Sequence, residues 1–325
     1  MRHAKQEHWV LTLFLLMTIA ACSSQPDNNQ VPDQATLNTP AESETGTIAA
    51  GEFRLRYRIE GTGPPAIVVG SAIYLPRVFS ENLRQHLRLV FMDHRGYAPS
   101  PGPMDASEFA PDKQLDDIEK ARQELGLGRI IVMGHSIHSI IALEYAKRYP
   151  ENVSHVVMIG SPVFNPASDQ AMQAMAPYWQ EFASPERKAI MEENLKRLPD
   201  EELAQLPPGQ RFLRGYIRNA PRTWYDPRFD ASALWEGVEA NDDFMRLPGF
   251  RDIDFTQGLD TFDRPVFLAQ GRYDFLVEPP SFWDPIRPKF RDLTVRGFEQ
   301  SGHWPHYEEA ALFDAELLGW LEARQ

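Results

Sequence analysis

The chain has 325 residues, 42% hydrophobic and 11% aromatic, enough to bury one large core or a core with a lid. A formal net charge of −13 excludes the basic surface that a binder of phosphates carries, so nucleic acid is not an expected partner. The acidic balance points to a soluble body and leaves the substrate open.

Arg2, His3 and Lys5 form a basic start, and Trp9 to Thr18 is a mostly apolar run. That run is shorter than the ~20 residues a membrane-spanning helix needs, and it reads as the hydrophobic region of a signal peptide. The following Ile19-Ala20-Ala21-Cys22 resembles the lipobox of bacterial lipoproteins. The resemblance implies cleavage after residue 21, a diacylglycerol on the Cys22 thiol, and an acyl chain such as palmitate on the new amino group. Several acyl chains together hold a protein on a membrane stably. The expected location is the bacterial cell envelope, outside the cytoplasm. Cys22 is the one cysteine of the chain, so it cannot form an internal disulfide in an exported protein. An ordinary cleaved signal that happens to end near a cysteine is the alternative. Residues 22–50 are rich in Ser, Gln, Asn, Asp, Pro, Thr and Glu, a composition that cannot offset ordering entropy, and they read as a disordered tether.

From Gly51 onward the pattern is that of a folded domain. Phe53, Leu55, Tyr57 and Ile59 alternate with Arg54, Arg56 and Arg58, the period of a strand with one wet face. Apolar strand-like runs follow at 65–70 (PAIVVG), 87–92, 130–133, 153–159, 266–269 and 293–295. Helical patterns lie between them at 115–125, 137–149 and 307–321. Apolar strands alternating with amphipathic helices predict an α/β fold, a mostly parallel sheet covered on both faces. The Asp116-Asp117 pair is expected to begin and solvate its helix.

The alternation stops after Gly160-Ser161-Pro162. Residues 164–262 contain no strand-like run and read as an inserted helical lid, with one helix capped at Ser184-Pro185. The segment is crowded with aromatics, among them Tyr178, Trp179, Phe182, Phe212, Tyr216, Trp224, Tyr225 and Trp235. The core would then comprise 51–163 and 263–325.

Gly134-His135-Ser136 sits between the strand at 130–133 and the helix at 137–149, the context of a nucleophile elbow. A hydroxyl needs a base to remove its proton, and the base needs an acid to fix its tautomer. Asp274 lies just beyond the 266–269 strand and His303 in the loop after the last one, where residues of a doubly wound sheet converge. The order Ser136, Asp274, His303 is nucleophile, acid, base. Asp260 and Asp263 precede their strand and read as solvated loop charges, while Glu278 lies too far into the next loop. His306 opens the last helix and reads as a surface residue. The pairs His135/His138 and His303/His306 lack a third ligand at close spacing, so no metal is expected.

Gly271-Arg272-Tyr273-Asp274, Gly302-His303 and Asp93-His94-Arg95-Gly96-Tyr97-Ala98-Pro99-Ser100 complete a resemblance to the α/β-hydrolase fold family, most of all to its proline iminopeptidase-like branch. The resemblance covers about 51–324. It implies a serine hydrolase that cleaves carboxylic esters or amides through an acyl-enzyme, without a cofactor. Its substrate is then a small ester or, as in the iminopeptidases, an N-terminal peptide bond. The match implies that Ser71 and Ile137 donate the oxyanion N–H groups, with Ala72 in reserve for Ser71. Two positions depart from the family: Val69-Gly70-Ser71 replaces its His-Gly loop, and His138 replaces a small residue after the elbow. A bulky His138 must splay the helix or point into the pocket. A serine at the elbow argues against the dehalogenase and epoxide hydrolase branches, which use aspartate. Iminopeptidases hold the substrate's amino group with lid carboxylates beside aromatics, for which Glu181, Glu192, Glu193, Asp226, Trp179, Trp224 and Tyr225 are the candidates. A non-catalytic binding lipoprotein of the same fold is the alternative of another class, and the complete Ser-Asp-His order argues against it.

Overall fold

The computed structural model describes residues 43–163, 168–242 and 253–324. The apolar run Trp9–Thr18, the Cys22 site and the tether as far as residue 42 lie outside the described residues. Eight strands form one sheet: β1 (Glu44–Ala50), β2 (Phe53–Glu60), β3 (Pro65–Gly70), β4 (Arg88–Asp93), β5 (Ile130–His135), β6 (Val153–Ile159), β7 (Val266–Gly271) and β8 (Leu293–Phe298). Their order across the sheet is β1-β2-β4-β3-β5-β6-β7-β8. The β1/β2 and β2/β4 pairs are antiparallel and all others parallel.

The central strands are apolar throughout because both their faces are covered. In β3, Ile67 and Val69 join a core with Leu115, Ile118 and Ala121 of α2 (Pro111–Glu124) and Ile140 to Leu143 of α3 (Ile137–Arg148). Ala66 and Val68 face the opposite core, with Leu83 of α1 (Glu81–His86) on that side. The last helical pattern divides there into α9 (Pro305–Glu308) and α10 (Ala310–Glu322), and Phe313 and Leu317 of α10 fill the same layer.

Residues 44–50, expected in the tether, instead make β1, from Glu44 opposite Ile59 to Ala50 opposite Phe53. Gly51, at φ 61°, permits the tight return to β2, and Ile48 and Ala50 pack into the core. Ladder hydrogen bonds and two inward side chains order a segment whose composition alone is polar. The Asp116-Asp117 pair is likewise not a helix start, since α2 begins at Pro111. Asp117 is buried and takes Arg95 at both oxygens, at 2.7 and 2.9 Å.

Between β6 and β7 the described residues form helices α4 (Ser168–Phe182), α5 (Pro185–Arg197), α6 (Asp200–Ala204), α7 (Pro208–Arg218) and α8 (Ala220–Thr223). Ser184 caps α5, its hydroxyl accepting the Arg187 N–H at 3.1 Å, with Pro185 in the first turn. The buried Arg187 guanidinium binds the carbonyls of Pro221, Trp224 and Tyr225 at 2.8, 2.7 and 2.5 Å, and so closes the end of α8. In turn α8 holds two sheet loops. Arg222 O accepts from Phe275 N at 2.9 Å, and Thr223 O from His303 N at 2.6 Å.

Candidate active site

Ser136 follows β5 with φ 56° and is the one non-glycine residue at positive φ among the described residues. Holding a serine there costs about 1–3 kcal/mol, which the surrounding contacts must override. Its N–H donates to Ile159 O at 2.8 Å, and its carbonyl accepts the Ser139 N–H at 3.0 Å. A Cβ on Gly134 would lie 2.0 Å from His138 O, so only glycine lets strand and helix approach this closely. Because His138 meets the strand through its backbone, its side chain turns away, toward the cavity beside Ser136.

Asp274 and His303 come together from the ends of β7 and β8. His303 Nδ1 donates to Asp274 Oδ2 at 2.6 Å, and Asp274 Oδ1 accepts Leu276 N–H at 3.0 Å. Both side chains are buried. The bond fixes the tautomer: the proton sits on Nδ1, and Nε2 carries the lone pair. Nε2 is buried and makes no hydrogen bond, to Ser136 Oγ or to any other described group. Close backbone approaches hold the histidine loop. A Cβ on Gly271 would lie 1.8 Å from Gly302 O, and one on Gly160, at φ 54°, would lie 3.0 Å from His303 Nδ1.

Several supports were not legible in the sequence. His135 Nε2 donates to the His303 carbonyl at 2.8 Å, and its ring stacks on Trp304 at 3.6 Å. Burial, with His303 and His306 nearby, keeps His135 neutral, well below the usual histidine range. Glu308 accepts the N–H groups of Gly302 at 2.7 Å and Tyr225 at 2.5 Å. Glu309 accepts Gln300 N–H at 2.9 Å and the Ser301 hydroxyl at 2.6 Å. The two glutamates thus lace the loop that carries His303. Their place beside Gly302-His303 was the only available signal.

Of the oxyanion candidates, Ser71 and Ile137 have N–H groups free of hydrogen bonds to described residues. The Ala72 N–H instead donates to Asp93 Oδ1 at 2.8 Å, so the reserve donor is already engaged. His306, expected at the surface, is fully buried against Phe79, with ring centroids 4.8 Å apart. Burial and the neighbouring His303 bring it down to about 3, so it stays neutral. Asp263 is 54% exposed and pairs with Arg264, and Asp260 is exposed. Glu278 is buried, its carboxylate accepting Val163 N–H at 2.7 Å.

A cavity of about 100 Å³ opens beside Ser136, lined by the elbow from His135 to His138, the Gly70–Ser71 loop and a ring of aromatics. The aromatics are Tyr74, Tyr97, Phe212, Tyr216, Trp235 and Trp304. The lid acids Glu181, Glu192, Glu193 and Asp226 are exposed and do not line it. Trp179 packs on Phe275, Trp224 stacks on Trp304, and Tyr225 is exposed; none of the three lines the cavity. A wider, more open groove of about 740 Å³ lies at the opposite end of the sheet, where Pro150 and Arg264 precede β6 and β7, remote from Ser136.

Residues 65–310 match the family model for the alpha/beta hydrolase fold. The chain is 38% identical over 280 residues to the AB hydrolase superfamily protein YclE of Bacillus subtilis (strain 168), covering 85% of this chain and 98% of that protein. It is 23% identical over 282 residues to a proline iminopeptidase of Heyndrickxia coagulans, covering 81% of this chain and 92% of the relative. Among solved structures, an esterase from Exiguobacterium antarcticum superposes with a TM-score of 0.57 at 19% identity, over 86% of this chain and 100% of that one.

Proposed function

This chain belongs to the α/β-hydrolase fold family, and on that premise we propose that it is a serine hydrolase of small carboxylic esters. The observation that carries the reading is the buried His303 Nδ1–Asp274 Oδ2 bond of 2.6 Å, which leaves an unpartnered Nε2 in the loop set against the elbow. In this mechanism Ser136 Oγ attacks the ester carbonyl while its proton passes to Nε2. Asp274 holds the imidazolium that forms, and the N–H groups of Ser71 and Ile137 take the oxyanion. Collapse expels the alcohol, which leaves with the proton from Nε2. Water then repeats the sequence on the acyl-enzyme and releases the acid. In the resting site Nε2 bonds to no described group; catalytic hydrogen bonds commonly tighten only when substrate binds. The helical insertion serves as a lid, with α8 anchoring the loops of Asp274 and His303.

Esters are favoured over peptide amines by the walls of the cavity. A substrate ammonium needs a negative partner once it leaves water, and no carboxylate lines the cavity among the described residues. The iminopeptidase reading draws on the 23% identical relative. Assaying p-nitrophenyl acetate and butyrate against proline and alanine p-nitroanilides decides between them. Esters are expected to have the higher kcat/KM, and a clear excess for proline p-nitroanilide would replace the ester reading while keeping the triad.

The cell envelope is the proposed location, with a lipid anchor on Cys22, the chain's one cysteine. Wild-type protein is expected to incorporate labelled palmitate and Cys22→Ser to lose it. A wild-type chain that takes no label contradicts the anchor.

A further inference from the structure

Two parts of the chain meet in the wall of the cavity beside Ser136. From the core comes Tyr74, whose N–H donates to the Ser71 hydroxyl at 3.2 Å, so that it belongs to the same loop as one proposed oxyanion donor. From the helical insertion comes Trp235, the last residue of the 3-10 turn Ala231–Trp235. The Tyr74 and Trp235 rings lie against each other, with centroids 4.1 Å apart. Tyr216 of α7, also in the wall, is 5.5 Å from the indole.

Packing is not the whole of what holds Trp235. Arg77 ends the short 3-10 turn Leu75–Arg77 that follows Tyr74, and it reaches across to the insertion. Its Nη1 donates to the carbonyls of Leu234 at 2.8 Å and Glu236 at 2.7 Å, the residues on either side of Trp235, with a longer contact to Ala233 at 3.4 Å. One guanidinium nitrogen thus spans the backbone that carries the indole, and its charge strengthens both short bonds. The Trp235 carbonyl itself accepts the Val238 N–H at 3.1 Å. With three successive carbonyls engaged, the backbone at Trp235 cannot turn without breaking hydrogen bonds, and the indole stays in the wall. Arg77 does not line the cavity, so any effect it has on substrate passes through Trp235.

The position of the cavity says which half of an ester it holds. Ser71, Ser136 and Ile137 line it, and His303 does not. The leaving alcohol must face His303 Nε2 to receive its proton, so the acyl half is the one left for the cavity. A methylene more than such a pocket accepts is worth about tenfold or more in kcat/KM.

On the ester-hydrolase reading above, we propose that Trp235 limits the length of the acyl group and that Arg77 is the positioning residue that holds Trp235 in place. The test measures kcat/KM for p-nitrophenyl acetate and p-nitrophenyl hexanoate. Wild type is expected to favour acetate by about tenfold or more. Trp235→Ala should raise the hexanoate-to-acetate ratio by about tenfold, and Arg77→Met, which keeps the stem without the guanidinium, by about threefold. The intrinsic reactivity of the two esters is common to all the proteins and cancels between them. Added to Trp235→Ala, Arg77→Met should change the ratio no further, because the two residues act as one unit. Ethyl and hexyl acetate, which vary the alcohol, should keep their wild-type ratio in both single variants.

Hexanoate cleaved as fast as acetate by the wild type overturns the length limit, whether or not any variant folds. An unchanged ratio in folded Trp235→Ala overturns the wall. An unchanged ratio in Arg77→Met, or its full effect added on top of Trp235→Ala, overturns the positioning role. A shift in the alcohol series in place of the acyl series overturns the placement of the acyl group. Each of these results leaves the hydrolase standing; wild-type cleavage of none of the esters overturns the hydrolase reading itself.

Discussion

Asp93 Oδ1 accepts the Ala72 N–H at 2.8 Å, a bond that reaches from the end of β4 into the loop after β3. The other carboxylate oxygen takes Arg56 Nε, and the side chain is fully buried. With Ala72 tied back, Ser71 presents the free N–H of that loop. Asp93→Ala releases the loop, so kcat is expected to fall by about 10²-fold while KM changes little, because the oxyanion forms only in the transition state. Burial raises Asp93 to about 6, so an acid limb of kcat that is lost or shifted in the variant would trace to this carboxyl. An unchanged kcat contradicts the positioning role.

His306 is buried, and the proposed mechanism gives it a structural role and makes His303 the base. His306→Ala leaves a cavity against Phe79 and is expected to cost about 2 kcal/mol or more of stability, with kcat retained within about tenfold below the melting range. His303→Ala is expected to fold and lose nearly all turnover. Chemical denaturation and ester assays on the two variants check both outcomes, and a dead His306→Ala beside an active His303→Ala reverses the assignment.

Much of the sheet was legible because strands buried on both faces spell continuous apolar runs, as PAIVVG in β3 does. The candidate triad was legible because strand ends converge and its three residues follow strand ends in order. What escaped depends on partners distant in sequence. Glu44–Ala50 carries one large aliphatic, Ile48, and becomes a strand only when β2 pairs with it. Asp117 looks like a surface acid until Arg95 folds over it. The helix pattern at 307–321 breaks at Glu309, whose φ of −120° and ψ of 48° leave the helix while its carboxylate binds the histidine loop. The lid acids could not be told from wet-face charges, since only the cavity wall shows which side chains meet substrate.

Glu308 couples that loop to pH. Its carboxyl is raised to about 8, chiefly by burial, against about 4.3 for an unperturbed glutamate. A carboxyl whose folded value lies above the unfolded one binds its proton more readily when folded. Its stabilising contribution is therefore full below about pH 4 and is lost as pH rises toward 8. Urea denaturation at pH 5 and pH 8 should show a loss of stability with rising pH that is smaller in Glu308→Gln. The same slope in both proteins contradicts the raised value.

Activation of Ser136 is tested most directly by treating the full chain with an alkyl fluorophosphonate and mapping the adduct by peptide mass spectrometry. One phosphonyl group is expected on Ser136, with no labelling of Ser136→Ala and labelling slowed by at least about 10³-fold in His303→Ala. No adduct, or an adduct on another residue of the wild-type chain, contradicts the assignment of Ser136 as the nucleophile.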